Sequence, residues 1–137
     1  MSTVIRAELS KRNEYHLEKH RYYELKHYCL QYNLWKRALL TMNVYPTQEG
    51  DKVIFSNSNP DPTAELAQKR LQYLDKIEML DRVALEADPI IGPLVLKGIV
   101  LGLSYEALRT RMDVPCGKDF YYMVYRKFFW ILDKVRK

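Results

Sequence analysis

The chain has 137 residues, of which 47 % are hydrophobic and 28 % charged, with only 5 Gly and 6 Pro. These values exclude a wholly disordered chain and favour one helical domain, or one domain with a helical appendage, over a β-sandwich or barrel. The formal net charge of +5 lies entirely in residues 92–137, where 9 Lys and Arg stand against 4 Asp and Glu, as expected of a segment that binds a polyanion.

The first predicted elements are two aromatic-rich helices, over residues 14–32 and 33–42, which we expect to form a hairpin. Apolar residues recur there at helical spacing on two neighbouring stripes. Tyr and Trp are the residue types that anchor protein interfaces. We therefore predict an interface with a partner or a second copy, formed by these residues and two aromatics near the C terminus: Tyr22, Tyr23, Tyr28, Trp35, Phe129 and Trp130. A core between the helices and a surface for base stacking are the alternatives.

A connector over residues 44–60, with Pro46, Gly50 and the run SNSNPDP, predicts a boundary between an N-terminal segment (1–60) and a helical domain (61–137). Asp61 followed by Pro62 is typical of a helix start. The helix that follows should continue to about Ala87, since Asp88-Pro89 disfavours further α-helix. Its predicted core face consists of Leu66, Tyr73, Leu74, Ile77, Leu80 and Ala84.

Three C-terminal helices are predicted next, over residues 90–101, 104–112 and 118–135, with Gly102 as a C-cap and Ser104 as an N-cap. The last two, with a turn containing Val114, have the parts of a helix-turn-helix. The predicted core face of the last helix is Phe120, Val124, Phe128, Ile131 and Val135. Predicted DNA contacts are Lys118, Tyr121, Tyr122 and Arg126 for reading, and Arg109, Arg111 and Lys127 for phosphates.

The C-terminal half resembles a known group of phage proteins. A polar linker (SNSNPDPTAE), a long charged helix (LAQKRLQYLDKIEMLDRVA) and the segment GLSYEALRTRMDV…FYYMVYRKFFWILDKV follow the layout of RinA/ArpU-like late-transcription regulators. The resemblance covers residues 56–137 and implies a helix-turn-helix similar to the promoter-reading region of sigma factors. The turn at residues 114–119 is one residue longer than in that group and lacks its usual Ser.

The chain shows no catalytic pattern, so we predict a protein that is not an enzyme and needs no cofactor or metal. His16 and His20 have a spacing that can chelate a metal on a helix, but histidines at the surface are the simpler interpretation. Cys116 lies near a predicted helix N-terminus, which is expected to lower the pKa of its thiol. We expect the thiols of Cys29 and Cys116 to be reduced.

Two functions follow from these patterns. The first is a DNA-binding, phage-type transcriptional regulator in the cytoplasm of a bacterial host, a homodimer whose N-terminal helices dimerise or contact RNA polymerase or another host protein. The second is a protein-binding module of a phage or mobile element, such as an inhibitor, an anti-CRISPR or a small packaging component, without DNA binding. Neither requires a membrane, since the longest apolar run, residues 89–103, is interrupted by Lys97.

Overall fold

The computed structural model describes residues 14–44 and 62–136, and all regular secondary structure in these ranges is α-helical. In chain order the helices are α1 (Lys19–Cys29), α2 (Tyr32–Val44), α3 (Pro62–Ala87), α4 (Ile91–Leu101), α5 (Tyr105–Arg111) and α6 (Lys118–Val135). The predicted all-α fold class is confirmed. The structure agrees with the predicted start of α3 at Pro62 and with both predicted ends of α6.

The first predicted helix is shorter than expected and is separated from α2 by a tight turn. It begins at Lys19, where the Glu18 carboxylate accepts hydrogen bonds from the backbone N–H groups of His20 (3.2 Å) and Arg21 (3.3 Å). A carboxylate at this position satisfies N–H groups that have no partner within the helix. Residues 14–18 therefore precede the helix instead of forming its first turn.

The described residues belong to two compact units. The first unit combines the described parts of Met1–Gln31 and Leu80–Lys137, and the second lies within Tyr32–Met79. In the first unit α1 packs on α4 and α6, and α6 also packs on α4 and α5. The predicted boundary at residues 60 and 61 lies outside the described residues, but α1 groups with the C-terminal helices in spite of its distance from them in sequence.

The buried face of α6 differs from the predicted one. Val124 and Phe128 are buried as predicted, whereas Phe120 and Val135 are exposed and Ile131 is half-buried. The prediction fails because α6 is covered by three helices, so its buried face is wider than one stripe and includes tyrosines. The residues on that face are Tyr121, Val124, Tyr125, Phe128, Phe129 and Leu132.

The core stripe predicted along α3 is buried only towards its C-terminal end. Ile77, Leu80 and Ala84 are buried, Tyr73 and Leu74 are half-buried, and Leu66 is exposed. Ala84 lies where α4 folds back on α3, next to Gly92. The apolar pattern therefore extends beyond the buried C-terminal part of the helix.

Arg21 joins α1 to the C-terminal end of α6. Its Nε donates a hydrogen bond of 2.6 Å to the Asp133 carboxylate, and its Nη2 donates to the backbone carbonyls of Asp133 (3.4 Å) and Arg136. The last carbonyls of a helix have no partner within it, so this guanidinium satisfies groups that would otherwise need water. The hydrogen bond to Asp133 also raises the pKa of Arg21.

No single helix among the described residues is long and apolar enough to cross a membrane. The pair α4 and α5 reaches the required length and composition only when both helices are counted together, and the chain bends by 104° between them. Gly102 makes this bend, with a positive φ of 70° that favours glycine, and it caps α4 as predicted.

Ser104 caps α5 as predicted, and its removal should destabilise the protein. Its hydroxyl accepts a hydrogen bond of 3.2 Å from the backbone N–H of Ala107. We expect Ser104→Ala to lower the free energy of unfolding by about 1 kcal/mol, because this N–H loses its acceptor. Urea denaturation followed by circular dichroism measures the change. Ser104→Asp, which retains a capping oxygen, is the matched control, and equal losses in both variants would contradict the role of the cap.

Candidate nucleic-acid interface

The turn between α5 and α6 is held by buried apolar residues and two tyrosine hydroxyls. The helix-turn-helix pattern predicts that Leu108, Met112 and Val114 fill the wedge between the two helices. Leu108 and Val114 are buried there, and Met112 is half-buried. The Tyr105 hydroxyl donates a hydrogen bond of 2.7 Å to the carbonyl of Cys116. The backbone N–H of Tyr105 donates to the Tyr122 hydroxyl at 3.0 Å. These contacts fix the start of α5 against the turn and the first part of α6.

Tyr121, predicted to contact DNA, is instead part of the core. Only 1 % of its surface is exposed, and its ring packs against Tyr105 with centroids 5.3 Å apart. The space for its hydroxyl exists because residue 98 is glycine, since a Cβ there would lie 2.5 Å from that oxygen. The prediction that Tyr121 reaches outward is therefore wrong.

Two further tyrosines of α6, Tyr122 and Tyr125, lie off the predicted core face, so the sequence pattern leaves both free to reach outward. Tyr122 is half-buried, and its hydroxyl is already bonded to the backbone of α5. Tyr125 is buried, and its hydroxyl lies 3.0 Å from that of Tyr22 on α1. Tyr125 is thus removed from the possible contacts, and Tyr122 would have to give up or share its hydrogen bond to contact a phosphate.

The arginines and the lysine next to them that were predicted to contact DNA differ in exposure. Arg109 and Arg111 on α5 are exposed, whereas Arg126 and Lys127 on α6 are half-buried. The Nε of Arg126 is buried and has no hydrogen-bond partner among residues 14–44 and 62–136. The two arginines of α5 are therefore the predicted phosphate contacts that need no rearrangement to reach a ligand.

Lys118, at the first position of α6, is exposed and lies close to a carboxylate. Its Nζ is 3.6 Å from the Glu106 carboxylate, and both side chains are more than half exposed. An ion pair of this kind contributes little to stability, so Lys118 can exchange it for another anion. Asp113 and Asp119 are also exposed, and they reduce the positive charge of this surface.

Phe120 and Met123 form an apolar pair near the N-terminal end of α6, one helical turn apart. Phe120 is 41 % exposed and Met123 is half-buried. The sequence prediction placed Phe120 in the core and so missed it as a surface residue. The signal that could have found it is a second apolar stripe, Tyr121, Tyr125 and Leu132, shifted by one position around the helix.

The aromatic residues predicted to form a partner or dimer interface pack within the chain. Tyr22 and Phe129 are buried, with ring centroids 5.1 Å apart, and Tyr28 is buried below the guanidinium of Arg136. In the second unit Trp35 is also buried, with the Lys76 ammonium 5.3 Å from its ring centroid. The interface prediction is wrong for these four residues, since a partner cannot reach them without unfolding.

The two remaining residues of the predicted interface, Tyr23 and Trp130, are half-buried. Trp130 packs on Tyr15 with ring centroids 5.3 Å apart. Trp130 therefore packs on the segment that precedes α1 in the same chain. These aromatics therefore give no support to a homodimer.

Neither the cysteines nor the histidines form a reactive cluster in the described part of the chain. Burial raises the pKa of the Cys29 thiol, and burial together with the nearby Asp88 carboxylate raises that of Cys116. The predicted lowering of the Cys116 pKa is therefore wrong.

His16 precedes α1, so it does not share a helix with His20, and no group of three potential metal ligands occurs among the described residues.

No protein-family model, curated protein or solved structure matches the chain. The resemblance to phage late-transcription regulators therefore stays a prediction.

Proposed function

We propose that this protein is a non-enzymatic, phage-type transcriptional regulator that binds double-stranded DNA through α5, the following turn and α6. The observation that carries the proposal is that the first turn of α6 is exposed, while the helix packs on its neighbours along one face. Lys118, Asp119 and Phe120 are all exposed, while one face of the helix is buried against α1, α4 and α5. A recognition helix needs this arrangement, since its N-terminal residues contact base edges while the domain holds its direction.

The distribution of charge supports the same function. All of the net charge of +5 falls within residues 92–137, which include α5, α6 and all of α4 except Ile91. Exposed Arg109 and Arg111 lie on the helix that precedes the turn, where helix-turn-helix proteins contact the DNA backbone. In this proposal Arg109, Arg111 and Lys127 bind phosphates. Lys118 and Arg126 contact base edges from α6, the reading helix.

The phosphate role of α5 predicts a defined change in salt dependence. We expect the wild-type chain to bind a fluorescein-labelled duplex of mixed sequence, with an affinity that falls steeply as salt rises from about 50 to 200 mM. The double variant Arg109→Ala/Arg111→Ala should bind more weakly. The slope of log affinity against log salt should be smaller in size by about two, because two phosphate contacts are lost. Fluorescence anisotropy titrations measure both quantities.

A matched control removes two exposed cations from a different helix. Lys69 and Arg70 are exposed on α3, and Lys69→Ala/Arg70→Ala changes the net charge by the same amount. If both double variants lose affinity equally, the effect is one of net charge and not of a site. Absence of salt-dependent binding by the wild-type chain would contradict the proposed function itself.

The apolar pair on α6 favours a second candidate function, binding of another protein. Phe120 is exposed, and so are the carboxylates of Glu106, Asp113 and Asp119 in α5, the turn and α6, and protein interfaces combine apolar and polar groups in this way. This function predicts that the surface of α5 and α6 mediates association without duplex binding at any salt concentration. The anisotropy titration above therefore separates the two candidates.

A further inference from the structure

The end of α6 that would enter the major groove presents apolar side chains where hydrogen-bonding ones were predicted. Phe120 is 41 % exposed in the first turn, and Met123 follows it three positions later. Of the predicted reading residues in the same turns, Tyr121 is buried and the Tyr122 hydroxyl accepts a hydrogen bond from the backbone of α5. The first two turns therefore offer few free donors to a base edge.

The remaining polar groups at this end are charged and of opposite sign. Lys118 lies 3.6 Å from the Glu106 carboxylate, and Asp119 is exposed beside it. Phe120 follows Asp119 in the first turn of α6 and lies outside the buried face of that helix. Its ring surface is available to a ligand with a compact apolar group.

The major groove displays one such group, the C5-methyl of thymine, which apolar side chains such as Phe contact directly. We propose that Phe120, supported by Met123, reads thymine methyl groups, so that the protein prefers A·T pairs opposite the first turns of α6. This inference rests on the proposed DNA-binding function. The net charge of +5 in residues 92–137 favours duplex DNA over an apolar protein surface as the ligand, because a polyanion compensates this charge.

The test replaces thymine by uracil, which removes the methyl group and leaves every hydrogen-bonding group of the base pair in place. A duplex bound best by the wild-type chain is first selected from a randomised library, and each thymine in it is then changed singly to uracil. At the contacted positions we expect the wild-type affinity to fall by about fourfold, the effect of exposing one methyl-sized group. The selected duplex should contain thymine at those positions.

Phe120→Ala is the variant that assigns the effect to this side chain. Because Phe120 is outside the core, the variant should fold, which circular dichroism verifies. We expect it to bind thymine and uracil duplexes equally, with an unchanged slope of affinity against salt. Leu101→Ala, which truncates a similarly exposed apolar residue (43 %) on α4, is the matched control and should retain the fourfold difference.

The outcomes separate this inference from the function on which it rests. Salt-dependent binding without any loss on thymine replacement, or a loss that Phe120→Ala retains, would overturn the methyl-reading role and leave DNA binding intact. Absence of salt-dependent duplex binding would overturn both. The expected result is that replacing thymine by uracil lowers affinity at one or more positions for the wild type and Leu101→Ala, and does not lower it for Phe120→Ala.

Discussion

Phe129→Ala is expected to lower the free energy of unfolding by about 3–5 kcal/mol, the range found when a buried phenylalanine is truncated in a protein core. Phe129 is 1 % exposed. Its ring packs against Tyr22 on α1 (5.1 Å between centroids) and against Tyr125 on α6 (5.2 Å). The substitution leaves a cavity at the junction of these two helices, which few neighbouring atoms can refill.

Urea denaturation of the wild type and the variant at two protein concentrations measures this loss. Phe120→Ala is the matched control, since it is the same truncation in the same helix at an exposed position, and it should change stability by less than about 1 kcal/mol. The midpoint should not depend on protein concentration. A small loss for Phe129→Ala together with a concentration-dependent midpoint would instead restore Phe129 to a dimer interface.

The ends of the helices could be predicted from the sequence because they depend on a few adjacent residues. Ser104 accepts from an N–H three positions later, and Gly102 adopts the positive φ that ends α4. Pro62 begins α3 as expected from its fixed φ. Each of these signals is local, so no knowledge of the remaining fold is needed to interpret it.

The orientation of α6 could not be predicted in the same way. Its sequence contains two overlapping apolar stripes, one with Phe120 and one with Tyr121, and both include Val124 and Phe128. A tyrosine counts as polar at the surface and as apolar in a core, so the pattern alone does not decide between them. The choice is made by α1 and α4, which supply Tyr22 and the space at Gly98.

The candidate site was predictable in its charges and not in its aromatic residues. Arg109, Arg111 and Lys118 are exposed as expected, because a charged side chain is seldom buried without a partner. Tyr121 lies in the core, and this depends on a glycine 23 positions earlier in the chain, so no local pattern around residue 121 could reveal it. The exposure of Phe120 is the other consequence of the same rotation of α6.

Gly92→Ala is the second substitution for which we expect a large loss, about 3 kcal/mol or more in the free energy of unfolding. A Cβ at Gly92 would lie 1.7 Å from the backbone oxygen of Ala84 and 2.7 Å from its carbonyl carbon. That oxygen also accepts a hydrogen bond of 3.2 Å from the N–H of Asp88, so it cannot move without breaking the end of α3. Overpacking against side chains typically costs about 1–3 kcal/mol, and backbone atoms can relax less.

The sign of this effect makes the test specific. In a helix, Gly→Ala normally stabilises by about 0.5–1 kcal/mol, so a large loss can come only from the contact between α3 and α4. Gly117→Ala is the matched control, since nothing lies within 4 Å of a Cβ there and its φ is −83°, and it should stay within about 1 kcal/mol of the wild type. Equal stability of Gly92→Ala and the wild type in urea denaturation would show that α4 does not pack on α3 at this distance. Because α6, the proposed reading helix, packs on α4, a wrong position of α4 would also make the position of α6 wrong.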